Sequence, residues 1–267
     1  EPWLQKIETT HKKLTRPGRD GSSRPLFRGQ SSSKWKLLTT LERYFRTTIT
    51  FGQYSQLVEA AKPFMETLTG SRWNLSPGPG AVPNIPSLFQ GEAYEYLLYL
   101  RHHGFPSPLL DWSVSPYLAA FFAFNEAEDA ADGQVSIYGF IQHAGKADAP
   151  RTEKAQIYGL ARYVRSHQRH FLQQSGYTVC LRENKGVTEF AEHEDVFAGA
   201  EAGQGLLWKL NIPAGERRRV LHHLDRHNIN AYSLFANDEG MTRTIAFREI
   251  EAAIERNILP VPGKAKK

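Results

Sequence analysis

The chain has one cysteine, Cys180, in 267 residues. A single thiol cannot form an internal disulfide, and it cannot supply a cysteine-rich zinc site. A reducing, cytoplasmic setting is therefore expected. Long apolar runs are missing as well. YLAAFFAF at 117–124 is the longest candidate, well short of the roughly 18–20 residues that a membrane-spanning helix needs. No stretch reads as a secretory signal, and no membrane partner is expected. There is no internal repeat and no long low-complexity segment. No Gly-x-Gly-x-x-Gly turn opens a helix and no Walker-type loop occurs, so a nucleotide-binding parallel sheet lacks support.

What is present is enough for a core: 40% of the residues are hydrophobic and 12% aromatic. The formal net charge of +5 favours contact with phosphates, modestly. Much of the excess sits in KKLTRPGR (12–19) and KAKK (264–267), where plain solvated tails are the simpler reading. Three parts are expected: an N-terminal helix and basic loop over 1–23, one globular domain over 24–257, and a basic tail over 258–267.

Short strands and helices alternate irregularly, which implies an α+β fold with a mixed sheet core and surrounding helices. LFRG (26–29), LLDW (109–112), QVSIYGFIQ (134–142), YTVCL (177–181) and LLWKLNIP (206–213) read as strands. Residues 53–68 repeat at helical spacing with Tyr54, Leu57, Ala60, Ala61, Phe64 and Leu68 on one face. EAYEYLLYLRHHG (92–104) reads as a helix stopped by Gly104. Ser115 and Pro116 read as an N-cap and first helical residue, opening an apolar helix over 116–125. Residues 155–165 read as helix or turn, 216–228 and 241–257 as helices, and AYSLFANDEG (231–240) as a loop or turn.

Four stretches carry chemistry-bearing residues. In FRGQ (27–30), Arg28 offers a planar fork suited to phosphate or carboxylate, and Gly29 lets a ligand or a neighbouring backbone come close. The alternative for Arg28 is an internal salt bridge to Asp111 or Glu95. In 102–116, at most one of His102 and His103 can reach a site, and a helix-end histidine is often a cap. Asp111 in an apolar strand needs a partner such as an arginine. Ser113 and Ser115 stand where a strand breaks into a helix, an anion-friendly end that also fits plain capping. In QRHFLQQSGYTV (168–179), Gln173 and Gln174 precede a strand and either orient a ligand or are simply exposed. In LFANDEG (234–240), Asn237, Asp238 and Glu239 crowd one turn, which seldom completes a metal site. His223 and His227 have i, i+4 spacing but no clearly placed partner ligand, and read as a solvated face.

Together these stretches resemble the FRG-domain family, named for its (F/Y)-R-G motif. FRGQ matches that motif, and Trp35 to Leu37 fits its W-x-L continuation. RHHGFPSPLLDWSVSPYLAAFFAF (101–124) is similar to the family's long Q-H-x-G-x-P-T-R-L-L-D-W-T block. QRHFLQQSGYTV and NINAYSLFANDEG (228–240) resemble two later motifs. The chain departs at Arg101, where the family often has Gln, at Ser107 and Pro108 in place of Thr-Arg, and at Ala236 and Asn237 in place of Pro-Asp.

By fold-level analogy the resemblance implies an ADP-ribosyltransferase-like core that uses NAD as substrate and needs no metal. Arg28, Ser113, and Gln174 or Glu239 take the catalytic places. Arg28 would hold a phosphate with Gly29 leaving room for it, Ser113 would orient a ribose, and Glu239 would stabilise positive charge or deprotonate the acceptor. Trp112 or Tyr177 would stack on nicotinamide, with Phe27, Gln30, His103, Asp111 and Ser115 completing the cofactor site. The implied activity is a toxin-type transfer of ADP-ribose to a macromolecular acceptor, nucleic acid and RNA first, in bacterial toxin–antitoxin or phage-defence settings, with an antitoxin as partner. The rivals are a metal-dependent nuclease using Asp111 and Glu239, and a non-catalytic nucleotide- or RNA-binding module.

Overall fold

The structure is a computed structural model. It describes residues 24–76, 84–126, 133–142, 153–160, 164–197 and 205–260, together with Gln5 and Thr9. The expected helix over 1–16 and the basic stretches 12–19 and 264–267 lie outside these segments, apart from those two residues.

One sheet organises the described chain. Its strands are β1 (Leu26–Gln30), β2 (Leu110–Ser113), β3 (Gln134–Gln142), β4 (Gln156–Gly159), β5 (Ser175–Asn184), β6 (Val187–Phe190) and β7 (Gly205–Pro213). The order is β4-β5-β2-β1-β3-β7, with β6 also paired to β5. Every registered pair is antiparallel. The fold is α+β as expected, but the sheet is antiparallel where a mixed one was anticipated. The helices are α1 (Thr40–Phe45), α2 (Phe51–Thr69), α3 (Gly91–His102), α4 (Pro116–Asn125), α5 (Gln168–Leu172), α6 (Arg217–Arg226), α7 (Ala231–Phe235) and α8 (Asp238–Glu255). Among the described residues none is long and apolar enough to cross a membrane.

Strand alternation sends successive residues to opposite faces. Phe27 pairs with Ser113, and Ser113 with Ser175. Tyr177 and Val179, two and four residues further along β5, therefore share Phe27's face. On that face one cluster joins Phe27, Val135, Ile137 and Ile212 to α4, α6 and α7. A second joins Tyr177, Val179 and Leu181 to α2 and α3. The opposite face carries Leu26, Leu110, Trp112, Tyr138, Phe140 and Cys180 under Leu37 and Ala191.

Helix α4 packs backbone to backbone on strand β1. Ser115 caps it by accepting from the Leu118 amide, and Pro116 opens it. Ala119 and Ala123, one turn apart, present backbone to Gly29. A methyl group on Gly29 would stand 1.9 Å from the Ala119 carbonyl oxygen and 2.5 Å from the Ala123 nitrogen. Gly29 is thus required by helix–strand packing; the room expected there for a phosphate is filled by α4.

Several elements differ from the sequence reading. Residues 156–159, read as helix or turn, form strand β4, and 231–235, read as loop, form α7. Strand β6 and helices α1 and α5 were not anticipated. Helix α2 buries Tyr54 and Val58, while Leu57, Phe64 and Leu68 are exposed. Tyr54 and Val58 join the cluster shared with α3 and Met65 packs against it, while the rest of the apolar stripe faces outward. Trp35, which opens the W-x-L continuation of the motif, is also exposed.

Candidate functional site

Strands β1 and β2 share the registered pair Phe27↔Ser113. Beyond it, the Arg28 side chain bridges the two strands. Its Nη1 donates to the Asp111 carbonyl oxygen at 2.8 Å and to the Asp111 carboxylate. Arg101, from the last turn of α3, donates through Nη2 to the same carboxylate oxygen. One carboxylate is therefore gripped by two guanidiniums from different elements. Of the two salt-bridge partners weighed for Arg28, Asp111 is the one found. Burial works against the Asp111 charge, but Arg101 and then Arg28 overcome it and hold the carboxyl well below the usual carboxylate range. The side chain is 46% exposed, and that surface opens into a concave site rather than flat solvent.

The concave site is a cleft of about 270 Å³. Its walls come from β1 and the following turn (Phe27 to Ser31, Trp35), β2 (Asp111, Trp112, Ser113), α4 and its end (Ala119, Phe122, Asn125, Glu126), Arg43, Gln173, Ser175 and Phe235. Arg43 is exposed and has no ion-pair partner among the described residues; partial desolvation, then repulsion from Arg28, lowers its proton affinity. Arg28 and Arg43 thus line the cleft together with Asp111 and Glu126, and Arg101 reaches Asp111 from outside the lining, so three guanidiniums stand against two carboxylates and leave one positive charge that an anion can neutralise. Gln30 is buried, donates to the Lys36 carbonyl at 3.1 Å, and has no partner for Oε1 among the described residues. Trp35, Phe122 and Phe235 add aromatic wall. Phe122 and Phe235 meet edge-on at 6.3 Å, and Arg169 lies over Phe235 at 5.5 Å.

Of the residues expected from sequence, Phe27, Arg28, Gly29, Gln30, Asp111, Trp112 and Ser113 line the cleft, and Ser115, His103, Gln174, Tyr177 and Glu239 do not. Ser115 is the cap of α4, and Ser113 Oγ accepts from the Ser115 amide at 3.1 Å. Trp112 is held as a structural residue: its indole N–H donates to Thr178 Oγ1 at 2.8 Å, and Thr178 bonds in turn to buried His193. It is not placed to stack on a ligand. Tyr177 lies in the core against Tyr94 and stacks on His170 at 5.7 Å, so the expected nicotinamide contact is not available from it. Burial, then the nearby Asp111 charge, pushes its hydroxyl up to about 12.

His103 ends α3 against Tyr99, outside the cleft, whereas His102 turns inward and its Nε2 meets the Tyr177 hydroxyl at 3.3 Å. Gln174 is exposed in a left-handed conformation, φ 47°, as the corner between α5 and β5. Its neighbour Gln173 lines the cleft instead and donates to the Leu234 carbonyl at 3.2 Å. Glu239 sits in the first turn of α8, 72% exposed and paired with Arg243. It does not meet Asp111, so the two carboxylates expected for a nuclease are not brought together. Among the described residues no group of three or more His, Cys, Asp or Glu could hold a metal ion.

Sequence reasoning missed Arg43, Arg101, Glu126, Phe122 and Phe235 as site residues, whereas Gln173 was singled out beside Gln174. Arg101 did carry a signal, as a charged residue replacing a neutral one inside the longest motif. Glu126 and Arg43 carried none, since each stands near the end of a helix with nothing in the local pattern to single it out.

Residues 23–132 match the family model of the FRG domain. The match supports the FRG-domain family, covers less than half of the chain, and contains Arg28, Arg43, Arg101, Asp111, Ser113 and Glu126. The resemblances at 168–179 and 228–240 fall outside it. No curated protein and no solved structure matches the chain.

Proposed function

We propose that the cleft between β1, β2 and α4 binds a dinucleotide and that the protein transfers ADP-ribose from NAD to a macromolecular acceptor. The observation that carries the reading is the placing of two guanidiniums, Arg28 and Arg43, in a concave site with aromatic walls. Arg28 and Arg43 suit the diphosphate, and Trp35, Phe122 or Phe235 suits a base or the nicotinamide. Arg101 acts through Asp111, fixing the carboxylate that in turn aims Arg28. In the transfer, the bond from the ribose C1′ to the nicotinamide nitrogen breaks and nicotinamide leaves with the electron pair. An acceptor oxygen or nitrogen forms the new bond at C1′ and gives up its proton. Glu126 is the cleft carboxylate without a salt bridge among the described residues; it replaces Glu239 as the group that stabilises the cationic ribose or takes that proton.

A second reading has its own support. Gln174 and Glu239, expected to act on NAD, stand outside the cleft, which favours a module that binds a nucleotide without turning it over. In the wider setting, a toxin-type activity in bacterial toxin–antitoxin or phage defence, with an antitoxin partner, follows from the resemblance alone.

Calorimetric titration with NAD, paired with an assay of nicotinamide release, tests both. The expected result is binding that weakens roughly tenfold in Arg43→Ala with an unchanged melting temperature, since Arg43 is exposed and supports no other group. Nicotinamide release lost in Glu126→Gln with NAD affinity retained supports the transferase. Binding without release selects the non-catalytic module, and no binding at all overturns both.

A further inference from the structure

A second cavity, about 660 Å³, shares Arg43 with the cleft. Its walls include Leu41, Arg46, Ile49, Arg182 and Phe190. The two cavities therefore adjoin at one guanidinium. The segment between them, residues 34–46, reads KWKLLTTLERYFR: four cations and one carboxylate. Lys34, Arg43 and Arg46 make no ion pair among the described residues, while Lys36 pairs with Glu192 at 3.2 Å. Glu42 is folded back as the capping partner of Thr39, accepting from the Thr39 amide at 2.6 Å.

The same segment exposes large aromatic rings. Trp35 is 53% exposed, Tyr44 71% and Phe45 37%. Tyr44 and Phe45 meet at 5.0 Å and an interplanar angle of 63°, so the pair presents two differently inclined faces. None of these rings is required by the core. Unpaired cations alternating with exposed rings are the chemistry of a single-strand track. The cations follow the phosphates, and any base can stack on a ring because every base has a π-face. Glu42, Glu192 and Asp195 also line the second cavity and oppose an anion there; Glu192 pairs with Lys36.

We propose that residues 34–46 form the binding track for a single-stranded nucleic acid, running over Tyr44, Phe45 and Arg46 toward Arg43 and delivering the strand to the cleft. A duplex keeps its bases stacked inside and offers no faces to Trp35 or Tyr44. An acidic peptide has charge for the cations but nothing that needs the rings. The inference deepens the transferase reading by naming its acceptor class, and binding is measurable without catalysis.

The test is fluorescence anisotropy of the full chain with labelled oligonucleotides of roughly 12 nucleotides, single-stranded RNA, single-stranded DNA and duplex, and with a poly-glutamate peptide. Single strands are expected to bind more tightly than duplex or peptide, and the RNA and DNA arms show which is preferred. The double variant Tyr44→Ala, Phe45→Ala should bind about tenfold or more weakly with an unchanged melting temperature. Arg46→Ala should lower the slope of log affinity against log salt by about 0.7. Tyr232→Ala, an exposed ring on α7, should change nothing. The proposal is overturned if single strands do not bind, if duplex or poly-glutamate binds as tightly, or if removing both rings leaves affinity unchanged. Loss of NAD cleavage in a protein that still binds single strands removes the transferase reading and leaves the track standing. NAD turnover without strand binding does the reverse.

Discussion

Asp111 holds two arginines that would otherwise repel each other. Arg28 comes from β1 and Arg101 from α3, and both reach the same carboxylate oxygen. In Asp111→Asn the two guanidiniums keep their positions and lose the charge between them. The carboxylate retains a wet side, so the cost is put at roughly 1–3 kcal/mol, below that of a fully buried pair. A denaturant midpoint measured on the variant checks this; an unchanged midpoint would mean that neither arginine depends on Asp111. Gly29 is the other residue whose role is settled by its neighbours. Gly29→Ala places a methyl group inside the backbone of α4, where no flexible side chain can yield, and should destabilise the fold by about 3 kcal/mol or more. A melting temperature equal to that of the parent would contradict this packing account.

Among the elements, α4 does most to shape the site. It brings Ala119 onto Gly29 and Phe122, Asn125 and Glu126 to the cleft wall. Its start is simple to test, because the Ser115 side chain accepts from Leu118 while Pro116 needs no partner. Ser115→Ala should cost ~1 kcal/mol of stability, with NAD affinity, if present, nearly unchanged, because Ser115 does not line the cleft. Helix α4 was legible in advance: Ser-Pro followed by an apolar run has few other meanings. Helix α3 and strands β1, β2, β3, β5 and β7 were legible for similar reasons of periodicity and length. Strand β4 was not. It is four residues long and pairs along one side with β5, so its identity rests on a partner remote in sequence. Helix α7 is a single turn closed by a capping box between Asn230 and Ser233, too short for any periodicity to register. The α2 stripe shows the converse: the 3.6-residue pattern was read correctly, but pattern alone does not reveal how much of a face receives a partner.

At the scale of the whole molecule, half-buried His102 and buried His193 are held neutral and tie stability to pH. Burial, followed by repulsion from Arg101 and His167, pushes His102 down to about 4. Burial, followed by repulsion from Arg28, pushes His193 down to about 3. Both protonate near pH 6.5 in an unfolded chain, approximately. Between that pH and the depressed values the unfolded state binds more protons, so acid favours unfolding. Stability from this source is complete above about pH 6.5 and declines as pH falls toward 4, by up to about 1.4 kcal/mol per pH unit for the fully buried His193. Asp111 adds a loss only in stronger acid, below its ordinary range near 3.9 or so. Thermal melts at about pH 7.5, 5.5 and 4.5 should therefore show a steady fall, and His193→Gln should flatten it. A melting temperature constant across that range would refute the neutral-histidine account.

The chemistry of the site was written in short local patterns. FRGQ, LLDW and the Ser-Pro break already named Arg28, Asp111, Ser113 and Ser115, because strand ends, buried carboxylates and helix caps leave signatures within a few residues. Their partners were not local. Asp111 is 83 positions from Arg28 along the chain, and no spacing rule joins them; the antiparallel register of β1, β2 and β5 does. That register also puts Tyr177 in the core and ties the Trp112 indole to Thr178 at the edge of the cleft, while the corner at Gln174 leaves its side chain exposed and Gln173 at the cleft. Gly29 was read as room for a ligand or for a neighbouring backbone, and the backbone of α4 is what fills it. A glycine announces a close approach, and packing selects what approaches.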